Sequence, residues 1–349
     1  MRALSVCAGV ATAVVVHAAP APVPAPTQLL LQAAEAARAA DFQGVLLYRG
    51  DRVMEVLRVT HRYKDGHEDE RIETLNGEPR EMIRRDNQVV SILPRAGEYH
   101  STFPREHHFT LGRPAVKGLL DRLSAQRLQM LVQWYAFHAL GDARVAGRDC
   151  RGVSVVPKDR YRYGYRVWAD AKTHVPLRVS LISDSDRLLE QAMFTEIEFP
   201  ASIPDSMFRA QFDNSKFKAV AREVGPLPAP DQPVPAATPA DFSFERLPPG
   251  FQVTLRDFRE LPDGGRVQHI LLSDGLSTVS VFAVPQSTEP THGDFRGLSR
   301  IGAVEAYGRI VGNYHVTVIG EAPRVTVQMI GDQIRAGRLA TPATAGTAP

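Results

Sequence analysis

The sequence predicts an α+β protein with two parts: a large, half-open antiparallel β-barrel with helices, and a smaller C-terminal α+β domain. Turn dipeptides such as Asp65-Gly66 and Asn76-Gly77 recur between short runs rich in Val, Ile, Leu and Tyr, which is the pattern of consecutive hairpins. Six prolines between Gly225 and Ala240, with almost no large apolar side chain among them, mark a boundary between two folded units. The length of 349 residues agrees, since one domain has about 100–200 residues.

The N-terminus has the pattern of a signal peptide over residues 1–19. Arg2 supplies the positive charge, residues 4–16 form a short apolar run, and small residues follow at the cleavage point. The apolar run follows Cys7 instead of preceding it, which disfavours a lipoprotein. After cleavage Cys150 is the remaining cysteine, so no intrachain disulfide is expected. No later apolar run reaches the roughly 20 residues that span a bilayer, so the mature chain is expected not to span the membrane.

The large domain is predicted over residues 27–222. Thr27 can cap a helix that runs to about Ala40, because apolar residues recur there at helical spacing. A five-strand antiparallel meander follows from Phe42 to Leu93, and helical spacing returns from Ala115 to Leu131. Five further strands are predicted near Trp134–Leu140, Cys150–Val156, Tyr161–Ala169, Leu177–Ile182 and Leu189–Phe199.

Roughly ten strands with two helices indicate a strongly curved sheet that wraps around a helix and has a concave apolar face. Along one strand, Tyr163 and Tyr165 alternate with Trp168. The candidate lipid-binding residues of the concave face are Val45, Leu47, Tyr163, Tyr165 and Trp168, of which fewer than all are expected to point inward. The alternative, that the tyrosines pack on the neighbouring helix as ordinary core, stays open.

A proline-rich linker over residues 223–241 precedes the small domain, which is predicted over residues 242–337, and the low-complexity tail over residues 338–349 is expected to be disordered. Asp274-Gly275 is a hairpin turn, and Pro323 suits the first turn of a closing helix. The predicted strands are Phe251–Leu261, Arg266–Leu272, Leu276–Val284 and Tyr314–Gly320. With no disulfide between them, the two domains are expected to be joined only by chain and packing, and to be able to reorient.

Charge and motifs exclude several function classes. The chain has 41 Lys plus Arg and 39 Asp plus Glu, and this net charge of +2 is not the strong positive charge that is typical of a nucleic-acid-binding protein. No G-x-S-x-G elbow, H-E-x-x-H, P-loop or strand-linked G-x-G-x-x-G motif occurs. The pattern therefore favours a binding protein without a cofactor over an enzyme.

Three groups of side chains could carry chemistry, and a structural role is favoured for each. His100, His107 and His108 are metal-ligand types, but they lie in a segment without regular pattern, so exposed loop histidines are favoured. The acidic run Glu68–Glu73 lies beside a turn and is interpreted as a solvated strand edge instead of an acid–base pair. Cys150 is interpreted as a small buried hydrophobe instead of a reactive thiol. No catalytic or metal site is predicted.

Several segments, in a fixed order and spacing, resemble the RseB/MucB periplasmic regulators of the envelope-stress sigma factor (sigma-E/AlgU type). The resemblance covers nearly the whole mature chain and is weakest at Pro94–Arg113, whose role stays unassigned. The segments that carry it are FQGVLLY (Phe42–Tyr48), LNGEPREMIR (Leu75–Arg84), GRDCRGV (Gly147–Val153), RYGYRVWAD (Arg162–Asp170), PLRV (Pro176–Val179), SDGL (Ser273–Leu276) and the closing helix at Pro323–Ile334.

The resemblance implies a fold and a function. Family members look like a half-open barrel of the LolA/LolB lipoprotein-carrier type, joined by a linker to a smaller domain. They are non-enzymatic negative regulators in the periplasm, bind the periplasmic domain of a single-pass anti-sigma factor (RseA/MucA type), and shield it from site-1 proteolysis. Acylated envelope components, lipopolysaccharide or lipoprotein, relieve this protection, and homodimers or higher oligomers are expected. No short motif identifies the partner-binding residues, which stay unknown.

Two other functions agree less well with the sequence. A periplasmic lipid or lipoprotein carrier would need the half-barrel alone, so the second domain disfavours it. An enzyme with an unrecognised active site would need a nucleophile, a base and an orienting group that the sequence does not bring together.

Overall fold

The computed structural model describes residues 25–51, 53–85, 88–92, 119–120, 123–209, 222–223, 242–260, 266–286 and 295–337. The predicted signal peptide, the tail, the Pro94–Arg113 segment and the three loop histidines within it lie outside the described residues, as does the linker except for Glu223.

The large unit is built on one eleven-stranded antiparallel sheet. Its strands are β1 (Phe42–Arg49), β2 (Met54–Lys64), β3 (His67–Thr74), β4 (Glu81–Arg85), β5 (Gln88–Ile92), β6 (Tyr135–Val145), β7 (Arg148–Pro157), β8 (Gly164–Asp170), β9 (Pro176–Ile182), β10 (Leu188–Glu198) and β11 (Arg222–Glu223). The order across the sheet is β11-β5-β4-β3-β2-β1-β10-β9-β8-β7-β6. The predicted meander is present as β1 to β5, and the sheet is not closed, so the predicted half-open fold class is confirmed.

Helix α1 (Pro26–Ala39) packs against one face of this sheet. Proline at its first position has no N–H to leave unpaired, and Leu30 and Ala34 on its buried side are 1% and 0% exposed. They join one hydrophobic cluster with Val153, Val167 and Val179 of the sheet. These three valines are direct cross-strand partners on β7, β8 and β9. The face that carries them is called the inner face below, and the opposite face the outer face.

Two predicted elements of the large unit differ from the structure. The helix predicted over Ala115–Leu131 is interrupted: residues 119–120 are helical, and a separate helix α2 (Ala125–Leu131) starts after Ser124, whose hydroxyl accepts a hydrogen bond from the Arg127 N–H at 3.2 Å. The strand predicted from Tyr161 begins only at Gly164, because Asp159 accepts the Tyr161 N–H at 2.9 Å and holds a turn there.

The predicted break at Gly141-Asp142 is also absent. β6 runs through this dipeptide with a shift of register between Leu140 and Ala143, so the glycine lies in a bulge of a long edge strand and not in a turn.

The small unit is a six-stranded antiparallel sheet covered by a helix, with a separate two-stranded ribbon. Its elements are β12 (Phe242–Phe244), β13 (Gln252–Glu260), β14 (Arg266–Ser273), β15 (Thr278–Pro285), β16 (Gly297–Ile301), β17 (Val304–Val311), β18 (Tyr314–Gly320), α3 (Arg324–Gln333) and β19 (Ile334–Ala336). The sheet order is β13-β14-β15-β18-β17-β16, and the ribbon pairs β12 with β19. β16 and β17 are not among the strands predicted from the sequence.

The Asp170 side chain stabilises the turn between β8 and β9 by accepting hydrogen bonds. Its Oδ1 accepts the N–H groups of Lys172 and Thr173 at 3.0 and 2.7 Å, and its Oδ2 accepts Arg148 Nε at 2.6 Å. Burial alone would raise the pKa of this carboxyl, but the hydrogen bonds, that from Arg148 first, outweigh burial and hold the pKa below its usual value.

We therefore expect Asp170→Asn to destabilise the protein by about 1–3 kcal/mol at neutral pH. A carboxyl with a lowered folded-state pKa stabilises the fold above its unfolded-state pKa of about 3.9 and loses that contribution as pH falls through the folded-state value. The difference between wild type and variant, measured by urea unfolding, should therefore shrink in acid. The exposed Asp186→Asn change is the control. An Asp170→Asn deficit that stayed constant down to low pH would contradict this account.

Candidate functional site

The junction of the two units is organised around one fully buried arginine. Arg162 is 0% exposed, and its Nη1 donates to Oδ2 of Asp274 at 2.8 Å. The Tyr135 hydroxyl donates to the same oxygen at 3.0 Å, and Arg162 Nη2 donates to the Pro249 carbonyl. Asp274 belongs to the hairpin turn between β14 and β15, so this turn of the small unit inserts its carboxylate into the large unit. Buried charges are tolerated only when paired and hydrogen-bonded in this way.

Apolar contacts extend the junction on both sides of this ion pair. Leu276 and Ala303 of the small unit belong to the same hydrophobic cluster as α1 and α2. Gly250, at φ +79°, lies so close to the Trp134 ring that a Cβ atom there would be 2.6 Å from it. The Thr326 hydroxyl donates to the Tyr161 carbonyl at 2.7 Å. The two units thus share a core and a buried ion pair, a more specific connection than the chain and packing expected from the sequence.

The predicted lipid-binding residues divide between the two faces of the large sheet. Tyr163 and Tyr165 are 5% and 4% exposed and belong to the inner-face cluster with α1 and α2. On β1, Leu46 pairs with Leu57 and Phe194 on the inner side. Val45 and Leu47 alternate with Leu46, so they lie on the outer face.

Trp168 also lies on the outer face, in a row of direct cross-strand partners. Trp168 pairs with Arg178, Arg178 with Met193, and Met193 with Leu47. The Arg178 guanidinium lies 3.6 Å from the centre of the Trp168 ring. The structure thus brings Tyr163 and Tyr165 together on one face and Leu47 and Trp168 into one row on the other. A lipid-binding role for these residues stays a prediction.

The acidic run on β3 is not a solvated strand edge, so that interpretation was wrong. Arg71 and Glu81 are each 2% exposed and form an ion pair with an Nε to Oε1 distance of 2.5 Å. Glu70, 3% exposed, pairs with Arg84 at 3.1 Å. Further ion pairs extend these two into one set, called the ion-pair network below. They join Arg62 with Asp69 and Asp205, Arg71 with Glu73, and Arg58 with Glu73. The turn Asp205–Phe208 covers the ion-pair network, with the Phe208 ring 4.7 Å from the Arg62 guanidinium.

The described residues contain no cluster of metal ligands, and their free cysteine is buried. No group of three or more His, Cys, Asp or Glu residues in them could hold a metal ion. Cys150 is 1% exposed, and burial, together with the charge of Asp170, raises the pKa of its thiol, as a small buried hydrophobe requires. In the same part of the chain, no helix is both long and apolar enough to cross a bilayer.

Each of the two units matches a domain model of the same protein family. Residues 25–212 match the family model of the MucB/RseB N-terminal domain, and residues 236–335 match that of the MucB/RseB C-terminal domain. The chain belongs to the MucB/RseB family. The resemblance seen in the sequence is thereby confirmed over both domains.

Named relatives in the MucB/RseB family are sigma-factor regulators. The chain is 29% identical over 318 residues to the sigma factor AlgU regulatory protein MucB of Pseudomonas aeruginosa, covering 86% of this chain and 88% of that protein. It is 28% identical over 321 residues to the sigma-E factor regulatory protein RseB of Escherichia coli K12, covering 90% and 92%. The crystal structure of MucB in complex with MucA(peri) is similar with a TM-score of 0.65 and 25% identity, covering 90% of this chain and all 100% of that one.

Proposed function

We propose that this MucB/RseB family member is a negative regulator of the extracytoplasmic stress response that acts by binding the periplasmic domain of a transmembrane anti-sigma factor. The observation that carries the proposal is the match of both domains to a family whose named members are sigma-factor regulators, one of them crystallised with MucA(peri). Binding needs no catalytic group, so the proposal includes a non-enzymatic role in the periplasm.

The junction described above supports a binding role that uses both units. Arg162 and Asp274 fix the small unit against the large one, so surfaces of both can face one partner in a defined geometry. A segment of the anti-sigma factor held in this way is withheld from the extended conformation that a site-1 protease requires. Protection from proteolysis then follows from binding alone.

Release on an acylated signal, lipopolysaccharide or lipoprotein, requires that this ligand prefer a conformation with lower affinity for the anti-sigma segment. The inner face is the place where an acyl chain would compete with existing packing, since Tyr163 and Tyr165 are buried there against α1 and α2. A homodimer or higher oligomer is part of the same proposal, and sedimentation of the purified chain tests it.

A protection assay tests the regulator against the carrier alternative. The periplasmic domain of the anti-sigma factor is incubated with the site-1 protease, with and without this chain, and the intact fraction is followed over time. The proposal predicts slower cleavage in the presence of the chain and faster cleavage again after addition of lipopolysaccharide. A carrier would instead move lipid between vesicles and leave the cleavage rate unchanged, and that result would contradict the proposal.

A further inference from the structure

A cleft of about 370 Å³ opens where the two units meet, away from the Arg162–Asp274 pair. One wall is the turn after β9, with Ser183, Asp184 and Arg187, together with Tyr163. The other wall comes from the small unit, with Arg300 on β16 and Arg324 at the start of α3. Three arginines from three separate elements therefore converge on one concave surface.

The three arginines that line this cleft outnumber its two carboxylates, Asp184 and Glu305, so the cleft carries a net positive charge. Arg187, Arg300 and Arg324 are exposed and form no ion pair within the described part of the chain, although Arg300 is the cross-strand partner of Glu305. The N-terminus of α3 adds to this charge, because its cap residue Pro323 supplies no side-chain acceptor and its first turn has no acidic residue. The free N–H groups of a first helical turn are a common anion site.

A nearly buried carboxylate also lines the cleft. Glu305 is 7% exposed, and no hydrogen bond or ion pair satisfies its side chain in the described residues. Burial raises its pKa, against the opposing effect of Arg300 and Arg324. A nearly buried carboxylate that accepts no hydrogen bond is destabilising, and a ligand that donates one offsets that cost. Such a group favours an anion that still carries a proton.

We propose that this cleft binds a phosphate group, with Arg300, Arg324 and the N-terminus of α3 as donors and Glu305 as the acceptor of the phosphate's own proton. Inorganic phosphate keeps a proton at neutral pH, whereas sulfate has none and would meet the Glu305 carboxylate with repulsion. Arg187 approaches from the large unit, so an occupied site bridges both units. This site is independent of the anti-sigma assignment.

Calorimetric titration of the full chain with inorganic phosphate and with sulfate tests the site. We expect saturable phosphate binding in the millimolar range or tighter and sulfate binding that is weaker by about tenfold or more. Arg300→Gln and Arg324→Gln should each weaken phosphate binding by about tenfold, since each removes a charge-assisted hydrogen bond. Glu305→Gln should bring the affinities for the two anions close together.

The exposed Arg246→Gln change is the matched control, since it removes one positive charge of the small unit outside the cleft. All the substituted arginines are exposed, and thermal melting verifies that each variant folds. The proposal is overturned by absence of saturable phosphate binding, by equal affinity for phosphate and sulfate in the wild type, or by equal effects of Arg246→Gln and Arg300→Gln.

Two further titrations, carried out at pH 6, distinguish the sources of the phosphate group, because a phosphate monoester has its second pKa near 6 and has lost most of its remaining proton at neutral pH. Glycerol 3-phosphate represents a free ester, and phosphatidylcholine vesicles containing phosphatidic acid represent a lipid headgroup. Binding of either that is lost in Arg300→Gln supports the site and assigns its source. If inorganic phosphate bound through Arg300 and neither ester did, the source would be free inorganic phosphate.

Discussion

Replacing Arg162 by leucine should lower the free energy of unfolding by about 3–5 kcal/mol, because it leaves the Asp274 carboxylate buried without its cation. Both side chains are 0% exposed, so solvent cannot screen the loss. Urea unfolding measures the change, and small-angle scattering should show a larger radius of gyration as the two units separate. Exposed Arg335, which pairs with Glu245, is the control, and Arg335→Leu should cost at most about 1 kcal/mol.

The same variant should recover in acid and on double substitution. Burial already raises the pKa of Asp274, and removal of Arg162 raises it further. An acid whose folded-state pKa is raised contributes no penalty below its unfolded-state pKa of about 3.9 and becomes destabilising as pH rises. Combining Arg162→Leu with Asp274→Asn should restore part of the stability, because the amide carries no charge and its oxygen can still accept the N–H groups of Leu276 and Ser277. An Arg162→Leu deficit no larger than that of Arg335→Leu would contradict this role.

Replacing Arg71 by leucine should also cost about 3–5 kcal/mol, within the large unit alone. The Glu81 side chain is 0% exposed and would lose the cation that now lies 2.5 Å away. Arg58 forms a pair of the same type at 3.7 Å, but it is 52% exposed, so Arg58→Leu should change stability by less than about 1 kcal/mol. Urea unfolding compares the two variants.

A second substitution separates the effect of the lost charge from that of the lost packing in the ion-pair network. If the loss in Arg71→Leu comes from the removal of a cation beside the buried Glu81 carboxylate, adding Glu81→Gln should recover part of it, because an amide costs less to bury than an ion. Equal stability of Arg71→Leu and Arg58→Leu would show that the ion-pair network is well solvated, as predicted for the acidic run Glu68–Glu73 from the sequence.

The hairpins of this fold could be predicted because their chemistry is local. Asp65 and Gly66 adopt φ angles of 55° and 85° between β2 and β3, as the Asp-Gly pair predicts. Strands β16 and β17 of the small unit were not predicted because Gly297, Gly302 and Gly308 interrupt their apolar pattern. The sequence signal for this hairpin was weak: it is Gly302, which adopts φ +62° in the turn between the two strands.

The ion-pair network and the junction of the two units could not be predicted, because the residues that pair there are distant along the chain. Arg62 reaches Asp205, 143 positions away, and Arg162 reaches Asp274, 112 positions away. A single sequence shows that arginines and acids are frequent but not which of them become buried together. The one indication was the acidic run opposite arginines at alternate positions, since Arg62 faces Asp69 and Glu70 faces Arg84 across neighbouring strands.

The candidate lipid-binding residues illustrate a further limit. Period-two alternation separates the two faces within one strand, but it does not say how faces of different strands correspond until register is known. Tyr163 and Leu47 were therefore both predicted for the concave face, although Tyr163 belongs to the inner-face cluster and Leu47 lies on the outer face. The alternation within the single strand β8 was right, since Tyr165, Val167 and Ala169 are all buried together.

Direct titration of the full chain with the purified periplasmic domain of the anti-sigma factor decides whether this chain is an anti-sigma-binding regulator. We expect a saturable complex of defined stoichiometry at micromolar concentration or below, weakened in Arg162→Leu, where the two units no longer hold one orientation. If the folded wild-type chain did not bind at micromolar concentration, the proposed function would be wrong.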